Sequence, residues 1–158
     1  FIFFLMIRGQ PRSTLFPYTT LFRSGQYNPT MGFNLGQAQI DGENLKIWDF
    51  GGQKTFLKQQ LAKYVHGSDI ILVVTDSTPK NVLTTKELLD YSQSIVEESN
   101  FIAIANKQDI PGHMSHQRVE DVLHIPTYPM VAIDIGNREM ITGLIQSLMR
   151  KVQAEKTA

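Results

Sequence analysis

The sequence contains no cysteine, which excludes disulfide bonds, thiolate zinc sites, thiol catalysis and attachment of prenyl or palmitoyl groups. It also has no net charge, because fifteen basic and fifteen acidic side chains cancel. We therefore expect no nucleic-acid partner. No apolar run approaches the length of a transmembrane helix. The 158 residues are 42% hydrophobic, which indicates an ordered domain with one buried core.

Residues 1–24 differ in composition from the rest of the chain. They hold five of the nine phenylalanines and three arginines, and no acidic residue. Phe1 to Ile7 is apolar, but no basic region precedes it and prolines follow, which is not typical of a signal peptide. Thr14 to Ser24 resembles a reading-frame translation of a common sequencing adapter, and Met6 to Ser13 resembles its upstream extension. We interpret residues 1–24 as a non-native segment that packs loosely; the alternative is a genuine hydrophobic anchor.

Residues 25–158 are predicted to form one α/β domain, with a mostly parallel sheet flanked by helices, because apolar runs alternate with helical patterns. Asp41-Gly42 is a strong signal for a hairpin turn. The predicted strands are Leu35 to Ile40, Leu45 to Trp48, Ile70 to Val74, Phe101 to Ala105 and Met130 to Ile133. Helices are predicted after Gly51-Gly52, from Val82 to Glu97, and over an amphipathic segment from Ile141 to Val152.

Polar clusters lie near three of these strands, and ligands of such sheets bind beyond the carboxyl ends of the strands. After the strand that ends at Trp48, the carboxylate of Asp49 is suited to holding Mg²⁺ through water. Two glycines then let a backbone N–H, that of Gly52, approach a phosphate. Gln53 can orient an attacking water. The alternative is a plain glycine turn capped by the aspartate.

A second cluster, Asn106-Lys107-Gln108-Asp109, follows the strand that ends at Ala105. The Asp109 carboxylate can accept both donors on the edge of guanine, and adenine offers no such pair. The stem of Lys107 can lie over the purine face, while Asn106 can brace neighbouring loops. In isolation this tetrapeptide is typical of a solvated turn.

A third cluster, Pro29 to Asn34, precedes the first predicted strand. The Thr30 hydroxyl could join a magnesium shell while its N–H meets a terminal phosphate, or Pro29-Thr30 could be an ordinary turn. Pro-Thr-x-Gly-Phe-Asn, Trp-Asp-x-Gly-Gly-Gln and Ala-Asn-Lys-Gln-Asp in this order closely resemble the ADP-ribosylation-factor-like small GTPases, from Gln26 to about Gln153.

The resemblance implies a P-loop-NTPase-like molecular switch that binds GTP or GDP with Mg²⁺ and hydrolyses GTP. It implies that Thr30 and Asp49 hold the metal, that Gly52 donates to the terminal phosphate, and that Gln53 is catalytic. Asn106, Lys107 and Asp109 would bind guanine.

The sequence departs from this family in two places. The last base-contacting triplet matches poorly at Asp134-Ile135-Gly136, where the backbone N–H of Ile135 would serve. No Gly-x4-Gly-Lys-[Ser/Thr] loop is present, since none of the eleven glycines precedes a lysine. We therefore expect a fragment, residues 25–158, that lacks the family's first strand, phosphate loop and first helix, and that is impaired as an enzyme.

The alternatives are a nucleotide-independent scaffold, or a membrane-anchored protein that uses Phe1 to Ile7. We expect a cytoplasmic location with unidentified protein effectors and regulators, and membrane association is left open. His113 and His116 have the spacing of metal ligands, but no further ligand is indicated, so a polar loop is preferred to a zinc site.

Overall fold

The computed structural model describes residues 2–10, 33–40, 43–50, 62–96 and 99–157. Within these ranges the chain forms six strands, and it forms three helices that are longer than one turn. The strands are β1 (Ile2–Gln10), β2 (Phe33–Ile40), β3 (Glu43–Phe50), β4 (Ile70–Asp76), β5 (Asn100–Asn106) and β6 (Thr127–Pro129). The helices are α1 (Pro79–Ile95), α2 (His116–Leu123) and α3 (Ile135–Thr157). Residues 62–64 are also helical.

The six strands form one mixed sheet in the order β2-β3-β1-β4-β5-β6. Strands β4, β5 and β6 run parallel to one another. Strands β4 and β5 are long and apolar, as expected for parallel strands covered on both faces. Strands β2 and β3 pair antiparallel with Ile40 opposite Glu43, as the predicted two-residue hairpin requires. The turn residues Asp41 and Gly42 lie outside the described residues.

The expectation of loose packing is wrong for Ile2–Gln10. This segment is β1, and it lies in the interior of the sheet, paired antiparallel with β3 on one side and with β4 on the other. Its sequence is rich in aromatic and β-branched residues, which favour strands. Pairing with it also satisfies the backbone edges of β3 and β4, which would otherwise be open. Residues 11–24 lie outside the described residues.

Both faces of the sheet are covered, which confirms the predicted α/β class. Along β4, Ile71 and Val73 pack on the face covered by α1 and α2. Their neighbours Ile70 and Leu72 pack on the opposite face, against α3. This alternation explains why the sequence from Ile70 to Val74 is apolar without interruption. None of the described helices combines the length and the apolar character needed to cross a membrane.

Two elements near the end of the chain differ from the prediction. The last strand is Thr127–Pro129 rather than Met130 to Ile133, and Ile133 is 84% exposed in a turn. Pro129 is tolerated because β6 is an edge strand, where one side needs no ladder hydrogen bonds. The predicted polar loop after Asp109 contains α2, which buries Val119 and Leu123 one turn apart.

Candidate functional site

The carboxyl ends of β3, β4 and β5 meet at one edge of the sheet, here called the carboxyl edge. Strand β1 is antiparallel to both β3 and β4, so β3 and β4 run in the same direction. In the register, Asp76 lies opposite Asn106 at the ends of β4 and β5. The predicted cluster that contains Asp49 and the predicted cluster that begins at Asn106 are therefore at the same edge of the sheet. This is where ligands of such sheets bind.

The loop after β5 is held by side chains of its own. The side-chain oxygen of Asn106 accepts a hydrogen bond from the backbone N–H of Ala132 at 3.0 Å, which ties this loop to the segment after β6. This confirms that Asn106 braces a neighbouring loop. Lys107 follows with φ of 60°, in the left-handed region, where a residue other than glycine is strained by about 1–2 kcal/mol. Strain of this kind clusters at ligand sites.

Ser77, directly after β4, holds the backbone of this loop in place. Its hydroxyl and its backbone N–H both donate to the backbone oxygen of Asn106, at 2.7 and 3.0 Å. Gln108 donates from Nε2 to the Ser77 hydroxyl at 2.6 Å and to the backbone oxygen of Met114 at 3.0 Å. Ser77 is fully buried, so these polar groups need the partners they have. Asp109, at the end of the loop, is exposed.

Asp76 is a member of the site that the sequence reasoning missed. Its Oδ1 accepts from the backbone N–H and the hydroxyl of Thr78, at 3.0 and 2.6 Å. Its Oδ2 lies 3.4 Å from Nζ of Lys107. Burial by itself raises the pKa of Asp76, but the hydrogen bonds from Thr78 and nearby positive charge, Lys107 included, outweigh it, and the pKa lies below 3.8. The signal was the polar run Thr75 to Thr78 directly after an apolar strand.

The segment after β6 is turned toward the same edge. The backbone N–H of Met130 donates to Ala105 at 2.9 Å, and that of Val131 donates to the side chain of Asn137 at 3.3 Å. Ile135 is the first residue of α3, where backbone N–H groups have no partner within the helix. Its assignment as a base contact stays a prediction.

Asp49 lies at the same edge but some distance from Asp76. It is half-buried near the end of β3, and Leu5 of β1 pairs with both Asp49 and Leu72. Asp49 is thus level with Leu72, which is four residues before Asp76 in β4. The separation of Asp49 and Asp76 is therefore about 13 Å along the strand direction and about 10 Å from strand to strand. Only an extended ligand could contact both ends of this edge.

Three predicted site residues, Thr30, Gly52 and Gln53, lie outside the described residues. For the histidines, the structure describes no group of three or more potential metal ligands within its ranges. Nδ1 of His113 donates to the backbone oxygen of Ile110, 2.6 Å away.

A sheet covered on both faces, with polar loops at the carboxyl ends of its strands, defines a layered α/β protein. A family model described as the ADP-ribosylation factor family matches residues 3–154. The chain belongs to the ADP-ribosylation factor family. The matched range starts inside residues 1–24, whose non-native origin stays a prediction.

Curated relatives agree with this assignment. The chain is 29% identical to ADP-ribosylation factor-like protein alp41 of Schizosaccharomyces pombe over 75% of its own length and 65% of the relative. It is 31% identical to ADP-ribosylation factor-like protein 2 of Drosophila melanogaster over 62% of the chain and 54% of the relative. For ADP-ribosylation factor-like protein 3 of Chlamydomonas reinhardtii the identity is 33% over 61% and 56%. The chain spans between half and two thirds of these relatives.

Proposed function

We propose that this chain derives from a GTP-binding switch of the ADP-ribosylation-factor-like type, and that the 158 residues as given bind GTP only weakly. The observation that carries the proposal is the loop from Asn106 to Asp109. Asn106 braces it against Ala132, Ser77 holds its backbone, and Lys107 has a strained left-handed conformation. A solvated turn needs none of these contacts.

The base end of the site is the better supported part of the proposal. The Asp109 carboxylate is exposed and can accept two hydrogen bonds from the edge of guanine. A site built for such donors rejects a base without them, since its own polar atoms would lose their partners. Asn106 fixes the loop, and the methylene stem of Lys107 can cover one face of the purine.

The phosphate end of the site rests on Asp49. A half-buried carboxylate near a strand end is a fitting ligand for a hard cation such as Mg²⁺. We propose that Asp49 holds the ion through water and that Thr30 joins it as a ligand. When bound, the ion would neutralise charge on the phosphate oxygens.

In the hydrolysis that we propose, Gly52 donates its N–H to the terminal phosphate and Gln53 orients the attacking water. The oxygen of the water bonds to the terminal phosphorus, and the bond from that phosphorus to the bridging oxygen breaks. The products are GDP and inorganic phosphate, and a proton of the water is released. No covalent intermediate with the protein is formed.

Weak binding is proposed because the phosphates lack their usual partners. No glycine in the sequence is followed by lysine, so the lysine and hydroxyl of a phosphate loop are missing. Strand β1 also starts at the carboxyl edge and ends at the opposite one, which is the reverse of the direction in which a strand leads into a ligand loop at the carboxyl edge. Losing three charge-assisted hydrogen bonds costs on the order of 5 kcal/mol, more than a thousandfold in affinity.

The missing phosphate loop is also what favours a second candidate, a nucleotide-independent scaffold. A scaffold, however, has no need for the set Thr30, Gly52, Gln53 and Asp109. We keep protein effectors, regulators and a cytoplasmic location within the proposal, without naming any partner.

The proposed chemistry is tested by placing a strand, a Gly-x4-Gly-Lys-Ser loop and a helix ahead of Gly25. In this background Gln53→Leu should slow single-turnover GTP hydrolysis while the affinity for GTP stays nearly unchanged, because leucine fills similar volume but cannot orient water. Gln59→Leu, a few residues further along, serves as the matched control. Equal hydrolysis rates for Gln53→Leu and the unsubstituted protein would remove Gln53 from the mechanism.

A further inference from the structure

The ion pair between Asp76 and Lys107 connects the ends of two neighbouring strands. Asp76 closes β4 and lies opposite Asn106 in β5, so Lys107 is the first residue beyond the strand pairing. The distance from Oδ2 of Asp76 to Nζ of Lys107 is 3.4 Å. The Asp76 side chain is 11% exposed, whereas that of Lys107 is 43% exposed.

The Asp76 carboxylate is itself fixed in orientation. Both hydrogen bonds from Thr78 reach the same oxygen, Oδ1, and the other oxygen, Oδ2, is the one that lies 3.4 Å from Nζ of Lys107. Thr78 immediately precedes α1, and its backbone oxygen accepts from Val82 in the first turn of that helix at 3.0 Å. The carboxylate is thereby anchored to a rigid element.

Lys107 is the residue whose conformation such an anchor would restrict most. Its backbone is in the left-handed region, and its side chain is long and flexible, so that an isolated lysine samples many conformations. To cover the purine face, the methylene stem of Lys107 should be held in one conformation before the base binds, because ordering the side chain during binding costs affinity.

We propose that Asp76 is a positioning residue for base recognition. It holds the ammonium group of Lys107, so that the methylene stem of Lys107 lies ready to cover the purine face. This inference rests on the proposed function and deepens it by adding a residue outside the loop from Asn106 to Asp109.

A purely structural role for Asp76, at the start of α1, predicts a different set of results. It predicts that Asp76→Asn lowers stability without acting through Lys107. Asp69 provides the matched control, because it precedes β4 at the opposite edge, has a side chain 10% exposed, and pairs with Lys156. Asp69→Asn therefore breaks a comparable ion pair far from the site.

The first measurement needs no ligand. The pKa of the Asp76 carboxyl is followed by ¹³C NMR in the full chain and in its Lys107→Met and Lys156→Met variants. Because a nearby ammonium group lowers a carboxyl pKa, Lys107→Met should raise the pKa of Asp76 and Lys156→Met should leave it unchanged. An unchanged pKa of Asp76 in Lys107→Met would show that the ion pair with Lys107 is not formed in solution.

The second measurement is a GDP titration of the full chain, monitored by NMR at high protein concentration, with ADP as the comparison ligand. Asp76→Asn should weaken GDP binding about fivefold, the size that a partly exposed ion pair allows. Asp69→Asn should bind like the unsubstituted chain. In the Lys107→Met background, Asp76→Asn should have no further effect, because Asp76 acts through the lysine.

The two proposals fail in different ways. If the unsubstituted chain shows no preference for GDP over ADP, the proposed function fails and takes the base-recognition role of Asp76 with it. If the chain prefers GDP but Asp76→Asn binds it unchanged, or weakens binding equally with and without Lys107, only the positioning role is overturned.

Discussion

The side-chain oxygen of Asn106 accepts a hydrogen bond from the backbone N–H of Ala132, and this contact joins β5 to the segment between β6 and α3. The two residues are 26 positions apart in the sequence. Ala132 is exposed and Asn106 is half-buried, so the contact organises loops rather than filling the core. Two of the loops needed at a base-binding site are thereby held to each other without a ligand.

Removing this brace should loosen the segment after β6. We expect Asn106→Ala to speed hydrogen exchange of the Ala132 amide and to lower the free energy of unfolding by about 1 kcal/mol, the net value of one hydrogen bond. Asn106→Asp keeps an acceptor oxygen and should retain most of the protection. Equal exchange rates for Ala132 in all three proteins would show that the contact is not formed in solution.

Strand β1 should matter for stability, although we interpret residues 1–24 as non-native. Met6 lies opposite both Trp48 and Ile71 in the sheet. Met6→Pro removes a backbone donor in an interior strand, so we expect it to lower the free energy of unfolding by more than about 2 kcal/mol. Met6→Val, which keeps the donor, is the control. Urea unfolding curves that coincide for all three proteins would argue against β1 as an interior strand.

The depressed pKa of Asp76 sets a pH dependence of stability. A carboxyl group whose folded-state pKa lies below its ordinary value of 3.8 stabilises the fold above that value. The stabilisation is lost as the pH falls through the lowered pKa. We therefore expect the stability difference between the unsubstituted chain and Asp76→Asn to be largest near neutral pH and to shrink below pH 3.8. A difference that stays constant across this range would contradict the assignment.

The choice of base should depend on Asp109. In the version with an added phosphate loop, Asp109→Asn should weaken GTP binding and favour the xanthine nucleotide, whose extra carbonyl accepts from the new amide. Asp121→Asn, on the exposed side of α2, is the control and should keep the guanine preference. An unchanged preference for guanine in Asp109→Asn would indicate that the loop from Asn106 to Asp109 is an ordinary turn with no role in base recognition.

The central elements of the fold could be predicted from the sequence because their pattern has one interpretation. Strands β4 and β5 are long apolar runs, and the last helix repeats apolar residues at helical spacing. Asn106, Lys107 and Asp109 could be placed because they directly follow the apolar run that ends at Ala105. Asp76 closes β4 as Asn106 closes β5, and it could have been found by the same rule.

Other features depend on contacts that no local pattern contains. Strand β1 pairs with both β3 and β4, and its apolar sequence does not by itself specify these partners or its antiparallel direction. Strand β6 ends early because Val131 bonds to the side chain of Asn137 and takes part in a turn with Asp134. Helix α2, in contrast, has a local signal at its start, because the hydroxyl of its N-cap residue, Ser115, accepts from the backbone N–H of Arg118.

The most direct test is a titration of the 158-residue chain with fluorescent guanine and adenine nucleotides, with and without Mg²⁺. We expect binding that prefers guanine but is at least about a thousandfold weaker than in the version with an added phosphate loop. Tight, magnesium-dependent and guanine-selective binding by the chain as it stands would show that it contains a phosphate site. The absence of any guanine preference would contradict the assignment of the loop from Asn106 to Asp109.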